Sequence, residues 1–286
     1  MSPHLPIASG TIATNAADLY YEVAGAGSPV VFIHAGIADR RMWDKQFLPF
    51  AVRHRAIRYD QRGYGLTVAR PVPHSHLRDL AVLLDFLEVE RAHLVGCSKG
   101  GRLALDFALA HPARVHGLVL VNAGAPDLAS SGEKPPQWDE AVAAFAAGDL
   151  ERTNELEIQV WIDGRWRTPD QVDPLVRVLA LDMNRIALAN EAAGLGEEEP
   201  PPDAAGRLTE LQSPLLAIAS DLDDPDFIRA AEFIARFVPG GRAVTLKGAA
   251  HLPSMEQPEE FNRVVLGFLE HLDASPPAAP AWPATP

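Results

Sequence analysis

One stretch limits the possible folds more than any other: Gly96-Cys97-Ser98-Lys99-Gly100-Gly101. A short apolar run (Ala92, Leu94, Val95) precedes it, and a segment of helical periodicity (Leu103, Leu105, Phe107, Ala108) follows. Strand, G-x-S-x-G, helix is the setting in which a serine is carried on a very tight turn, its backbone strained and its hydroxyl presented above a sheet. Glycines must flank it, because a Cβ at Gly96 or Gly100 would strike the adjoining strand or helix. The helix that begins at once behind the serine points its first free N–H groups at the place where negative charge would develop. A glycine-rich turn with an incidental serine has the same local spelling, so the partners elsewhere in the chain decide the matter.

The first 25 residues read as two strands, Gly10 to Thr14 and Leu19 to Val23, closed by the turn Ala24-Gly25-Ala26-Gly27. Pro29-Val30-Val31-Phe32-Ile33 is a continuous apolar run, as a strand covered on both faces requires. A helical segment over Met42 to Val52, a strand over His54 to Asp60 and a helix capped by Ser75 follow. Then come the strand into Ser98, the helix up to His111-Pro112 and the buried strand Leu118 to Val121. This alternation specifies βαβ crossovers and a mostly parallel, doubly wound α/β sheet.

The rhythm stops near Ala125. From there to Leu208 only helical stretches are legible: Trp138 to Ala147, Leu150 to Ile162 and Val172 to Ala193. We expect residues 125–208 to form a helical cap inserted into a core made of residues 1–124 and 209–273. The sheet resumes with Leu215 to Ile218, a helix with apolar residues at 227, 231, 234 and 238, and the strand Ala243 to Leu246. A last helix starts at Gln257-Pro258, with proline at its first position. Residues 274–286 read as a disordered Pro/Ala-rich tail.

A net charge of −13 argues against nucleic acid as a partner. The single cysteine, Cys97, leaves no internal disulfide and no cysteine-cluster metal site. No apolar run approaches membrane-spanning length, and Met-Ser-Pro-His-Leu-Pro lacks the basic and apolar regions of a signal peptide, so the expectation is a cytoplasmic protein without a membrane partner. Nothing in the sequence sets the oligomeric state.

Sites on such a sheet lie beyond the carboxyl ends of its strands. That rule sorts the histidines. His54, His93 and His116 stand just before strands, at the opposite edge, and read as structural. His111 closes a helix. His74 and His76 form an H-x-H with no second cluster at useful spacing, so no metal site is expected. His34 and His251 remain. His251, in the loop Gly248-Ala249-Ala250-His251-Leu252-Pro253, can lay an imidazole over the serine, whereas His34 follows its strand immediately and is better placed to brace a loop. The acid comes from Ser220-Asp221-Leu222-Asp223-Asp224-Pro225-Asp226, after another strand. We take Asp226 as the cap of the next helix, Asp223 as the acid and Asp224 as its alternative. In the order Ser98, Asp223, His251 the imidazole takes the serine proton and the carboxylate holds the tautomer.

With these residues in hand, the chain resembles the α/β-hydrolase fold proteins over nearly its whole length outside the tail. Three signatures agree: Asp60-x-Arg62-Gly63-x-Gly65-x-Thr67, Gly96-x-Ser98-x-Gly100-Gly101, and Gly248-x-x-His251 followed by Pro253 and Pro258. The resemblance implies an oxyanion hole made by the backbone N–H groups of Gly36 and Lys99, with no cofactor. Val31 to Asp44 is similar to 3-oxoadipate enol-lactonases and their esterase relatives. His34-Ala35-Gly36 departs from the usual His-Gly-x, Thr67 replaces a serine, and Lys99 stands where Met, Leu or Gln is usual. Serine rather than aspartate at the nucleophile position disfavours dehalogenase and epoxide hydrolase chemistry.

The expected activity is therefore hydrolysis of a small-molecule carboxylic ester or lactone through an acyl-enzyme. Two alternatives stay open: hydrolysis of a C–C bond in a dienoic keto acid, and a slow or non-catalytic ligand receptor on the same fold. Trp138, Phe145, Trp161, Trp166 and Met183 are available to line an apolar acyl pocket, although aromatics at helical spacing more often serve packing.

Overall fold

The computed structural model describes residues 5–274 except 126, 127, 129, 130, 133, 196–203 and 205. The chain opens with two strands, β1 (Ile7–Thr14) and β2 (Ala17–Ala24), then β3 (Pro29–Ile33), a 3-10 turn (Arg40–Trp43) and α1 (Asp44–Ala51). Next are β4 (Arg55–Tyr59), β5 (Val68–Ala69), α2 (His76–Phe86), β6 (Ala92–Cys97), α3 (Lys99–Ala110) and β7 (Val115–Val121). Three helices, α4 (Trp138–Ala146), α5 (Leu150–Ile158) and α6 (Pro174–Ala192), separate β7 from β8 (Leu215–Ser220). The chain continues with α7 (Pro225–Phe237), β9 (Arg242–Leu246), α8 (Pro253–Glu256) and α9 (Pro258–Ala274).

The strands form one sheet in the order β1-β2-β4-β3-β6-β7-β8-β9, with β5 beside β2. Pairing is antiparallel between β1, β2, β4 and β5 and parallel from β4 across to β9. The apolar runs explain the layering. Val31, Ile33, Leu94, Leu118, Leu120, Leu215 and Ala217 enter the core on one face, under α2, α3 and α7. Their neighbours Val30, Phe32, Val95, Val119, Val121, Leu216 and Ile218 enter the other, under α1 and α9. Side chains alternate across a strand, so burying both faces demands an unbroken apolar sequence.

The expected elements are present with small shifts. Met42 to Val52 divides into the 3-10 turn and α1. Ser75 caps α2, its side chain accepting from the Arg78 N–H. β5 and α8, two and four residues long, are too short to leave a periodic signal. Ala274, expected to begin the tail, is the last residue of α9; residues 275–286 and the acidic-proline run 197–202 lie outside the described residues. No helix among the described residues is long and apolar enough to cross a membrane.

The helical segment between β7 and β8 leans on loops that follow the carboxyl ends of four strands. Met183 Sδ meets the Asp39 N–H at 3.4 Å after β3, and Asn190 Nδ2 donates to Gly63 O at 3.0 Å after β4. Arg165 pairs with Asp224 at 2.9 Å after β8, and Arg167 with Glu256 at 2.6 Å after β9. Helix α5 ends in a π turn (Gln159–Asp163), closed by Gly164 N–H donating to Gln159 O at 3.0 Å. A helix end leaves carbonyls without intrahelical donors. Here His251 N–H donates to Trp161 O at 3.0 Å, and the Arg167 guanidinium donates to Ile162 O at 2.6 Å and Asp163 O at 3.0 Å.

Candidate active site

Ser98 sits between β6 and α3 at φ +52° and ψ −116°, a left-handed conformation that a non-glycine residue holds only when its surroundings impose it. They do. A Cβ on Gly96 would lie 2.2 Å from Gly100 O, and one on Gly100 would lie 2.4 Å from Ile33 O. The turn is therefore jammed between α3 and β3, and Ser98 N–H is fixed to Val121 O at 2.8 Å. Ser98 is half-buried, while its neighbour Cys97 is fully buried and its thiol is pushed well up by desolvation, so it stays protonated.

The four aspartates after β8 separate by what each one touches. Asp223 Oδ2 accepts from His251 Nδ1–H at 2.7 Å, and both side chains are almost fully buried. Asp223 Oδ1 accepts the Asp224 N–H at 2.8 Å, which locks the carboxylate's orientation. Asp224 caps α7 by accepting from Asp226 N–H at 2.9 Å and pairs with Arg165. This corrects the expected cap, Asp226. Pro225 occupies the first helical position, so the residue before it must be the cap; the Asp-Pro pair was the available signal. Asp221 accepts from Gly248 N–H at 2.7 Å and ties β8 to the histidine loop.

The His251 ring is walled by Trp161 and Phe227, at centroid distances of 4.5 and 4.8 Å. With Nδ1–H committed to Asp223, Nε2 is the basic nitrogen. No hydrogen bond between Ser98 Oγ and His251 Nε2 is present among the described residues; such contacts commonly tighten only when substrate is bound.

Asn122 escaped the sequence reading. It directly follows β7, at φ +43°, and is buried. Its Nδ2 donates to His251 O at 3.0 Å, Ser220 Oγ at 3.0 Å and, more weakly, Ala250 O at 3.2 Å. A polar residue at the carboxyl end of a buried apolar run was the available signal.

Gly36 and Lys99 are adjacent: a Cβ on Gly36 would lie 3.7 Å from Lys99 Cβ and 3.8 Å from its Cδ. The lysine stem thus runs past the glycine, and its ammonium stands 5.6 Å from the Tyr64 ring centroid. His34 braces this loop as expected. Its Nδ1–H donates to Ala35 O at 2.8 Å and its Nε2 accepts Gln61 N–H at 2.9 Å. Burial pushes its pKa down to about 4, so the ring is neutral. The Asp60 to Thr67 signature is a loop clamp. Asp60 accepts from Arg40 N–H, Arg40 Nη1 and Leu66 N–H, and Thr67 Oγ1 donates to Asp60 O at 2.6 Å, the bond a serine would also make. Arg62 holds Asp79 in two hydrogen bonds, at 2.6 and 2.9 Å.

A cavity of about 330 Å³ lies beside Asp223, lined by Trp138, Val160, Trp161, Arg165 and Phe227 among others. Of the other aromatic-pocket candidates, Met183 is fully buried packing and Trp166 is exposed. His74 and His76 face each other at 4.9 Å, and His111 rests on Phe107 at 4.7 Å. Among the described residues, the group with metal-ligand spacing is His93, His116 and Asp273, at the other end of the strands.

Residues 28–258 match the family model described as alpha/beta hydrolase fold. The chain is 29% identical to a pimeloyl-[acyl-carrier protein] methyl ester esterase of Aeromonas hydrophila, over 86% of this chain and 96% of that one. It is 26% identical to 3-oxoadipate enol-lactonase 1 of Acinetobacter baylyi, over 85% and 89% of the two chains. Among solved structures, a hydrolase from Pseudomonas aeruginosa PA01 superposes with a TM-score of 0.72 at 30% identity, covering 94% of this chain and 99% of that one. The strained serine elbow, the mostly parallel sheet and these matches agree: the chain is a hydrolase and belongs to the alpha/beta hydrolase fold family.

Proposed function

We propose that this hydrolase cleaves a carboxylic ester or lactone through an acyl-enzyme, with Ser98 as nucleophile, His251 as base and Asp223 as the acid that orients it. The reading rests above all on the buried 2.7 Å bond between Asp223 and His251, at the same sheet edge as the strained Ser98. A serine hydroxyl is a weak nucleophile until a base removes its proton. In this scheme His251 Nε2 takes that proton as Oγ attacks the carbonyl carbon. The Asp223 carboxylate stabilises the imidazolium, which then protonates the leaving alcohol or the opened lactone's alkoxide. Water, deprotonated by the same imidazole, releases the acid. The oxyanion of each tetrahedral intermediate is assigned to the N–H groups of Gly36 and Lys99, whose residues are adjacent in the fold.

We assign residues 1–124 and 209–273 to the catalytic core and 125–208 to a cap that selects the substrate. Support comes from the cap's contacts to the loops after β3, β4, β8 and β9, which would roof the site. An ester or lactone substrate is further supported by the esterase and enol-lactonase among the relatives.

The test is covalent. A fluorophosphonate probe should label Ser98, and Ser98→Ala should abolish labelling, leave the fold intact and cut ester turnover by roughly 10⁵ to 10⁶. Ester turnover by an unlabelled wild type would overturn the mechanism. Labelling without turnover across a panel of esters and lactones would favour C–C bond hydrolysis or a receptor.

A further inference from the structure

The sequence scatters His54, His93 and His116 over more than sixty positions, and the sheet gathers them. His93 and His116 are each the second residue of neighbouring parallel strands, β6 and β7, so both stand at the amino edge. Their rings stack, with centroids 4.6 Å apart and 18° between planes. Helix α9 ends by delivering Asp273 onto this pair. His93 Nε2 lies 2.9 Å from Asp273 Oδ1 and His116 Nδ1 lies 3.7 Å from the same oxygen. His54 stands behind the carboxylate, its Nδ1 3.5 Å from Asp273 Oδ2.

We propose that His93, His116 and Asp273 form a binding site for a divalent transition metal, with His54 holding the carboxylate from behind. One ligand atom from each of the three residues lies within 4.8 Å of the others. Around a four-coordinate zinc, such atoms stand roughly 3.3 Å apart, and imidazole lone pairs lie in the ring plane, so the partly exposed His116 ring closes the site by turning out of its stack on His93. Two imidazoles and one carboxylate suit Zn²⁺, Co²⁺ or Ni²⁺ better than Mg²⁺ or Ca²⁺, which prefer oxygen. An entry path exists: His93 is fully buried, but the side chains of His116 and Asp273 keep 34% and 25% of their exposure. The second observation is polar satisfaction. Nδ1 of His93 is buried without a hydrogen-bond partner, and His54 Nδ1 reaches Asp273 Oδ2 only at 3.5 Å, although buried polar atoms are normally well paired. His54 Nδ1, 3.5 Å from Oδ2, is placed to donate to the carboxylate's outer oxygen, the arrangement usual behind metal-bound carboxylates.

The site lies a strand's length from Ser98, about 16 Å at 3.3 Å per residue, so its role is structural. It pins the end of α9 to the starts of β6 and β7. A ligand that binds only the folded state stabilises it by mass action.

Co²⁺ titrated into chelator-stripped full-length protein supplies a visible d–d spectrum, and Zn²⁺ calorimetry supplies stoichiometry. One saturating equivalent at micromolar concentration is expected for each, with none for Mg²⁺. Zn²⁺ at a hundred times its dissociation constant should favour the folded state about a hundredfold and raise the unfolding temperature. His116→Gln and Asp273→Asn, near-isosteric changes at the partly exposed rim, should each weaken binding tenfold or more. His54→Gln should weaken it by about 10- to 100-fold, and His74→Gln should leave it unchanged. No saturable binding, binding indifferent to both His116→Gln and Asp273→Asn, or binding lost in His74→Gln would overturn the proposal and leave a hydrogen-bonded cluster.

Discussion

Asn122 Nδ2 donates to the backbone carbonyl of His251 at 3.0 Å, so the residue that ends one central strand holds the loop that carries the proposed base. The same amide reaches Ser220 Oγ and Ala250 O. Together with the Trp161 carbonyl, which accepts the His251 N–H, it suspends the histidine backbone between core and helical segment. Asn122 touches no reacting atom, so it acts as a positioning residue.

Asn122→Asp keeps the volume and removes the donor, setting a carboxylate against carbonyl oxygens. It should lower kcat by about 10- to 100-fold, as misplacement by about an ångström does, and leave KM nearly unchanged. Asn122→Ala should also destabilise the fold by about 1–3 kcal/mol, since buried carbonyls lose their donor. Steady-state kinetics and urea unfolding of both variants read the two effects separately. Equal losses in stability with kcat intact would make the residue purely structural.

The acids are separable. Asp223→Asn should drop kcat by roughly 10⁴, because the wrong imidazole tautomer becomes favoured. In Asp224→Asn the amide still caps α7 and only the partly exposed pair with Arg165 is weakened, so stability should fall by no more than about 1 kcal/mol. Its kcat should stay within about tenfold, an expectation grounded in the small energy of such pairs. Reversed sensitivities in the kinetics would move the acid by one residue.

Lys99 is the departure from the family pattern with the most bearing on substrate. Its stem passes Gly36 and its ammonium lies near Tyr64, beside the proposed oxyanion hole. A partly desolvated pair between that ammonium and a substrate carboxylate is worth roughly 1–3 kcal/mol, or about 5- to 150-fold in kcat/KM. Lys99→Met should therefore depress acidic esters or lactones selectively and leave neutral esters within a few fold. Added salt should narrow the wild-type preference. Equal losses on both substrate types would confine the side chain to supporting the turn.

His34 gives a pH dependence with a definite sign. Its folded pKa is depressed to about 4 from 6.5, chiefly by burial and partly by Lys99 and Arg40, against the opposing pull of the Ala35 carbonyl and Asp39. The unfolded state therefore binds more protons in this range. The stability it contributes is complete above pH 6.5 and is lost as pH falls through 4. His34→Gln, which can still accept from Gln61 N–H but cannot charge, should show a shallower loss of urea midpoint between pH 6.5 and 4.5. Parallel curves would show that His34 does not titrate in unfolding.

How much of this could be read beforehand follows from what each feature needs. Strands β3, β6, β7 and β8 were legible because burial on both faces forces unbroken apolar runs. The serine elbow was legible because only glycine tolerates 2.2 and 2.4 Å approaches at positions 96 and 100. The sequence favoured Asp223 as the acid with Asp224 as its alternative, but could not separate the two, since Asp221, Asp223, Asp224 and Asp226 are all sound turn and cap residues. Which of them faces His251 depends on how β8 and β9 lie side by side.

By itself, then, the sequence determined the layered α/β sheet, the serine turn at Ser98 and the loops from which an acid and a base could come. These are set by local sterics and hydrophobic periodicity. Only the tertiary structure decided that Asp223 takes His251, that Asn122 and Trp161 hold its backbone, and that Lys99 lies along Gly36. It likewise decided that three histidines read only as structural, at the opposite edge, converge on Asp273. Such meetings are fixed by strand order and helix docking, which bring residues as distant as 93 and 273 within 3 Å, and no local pattern encodes a distance across the sheet.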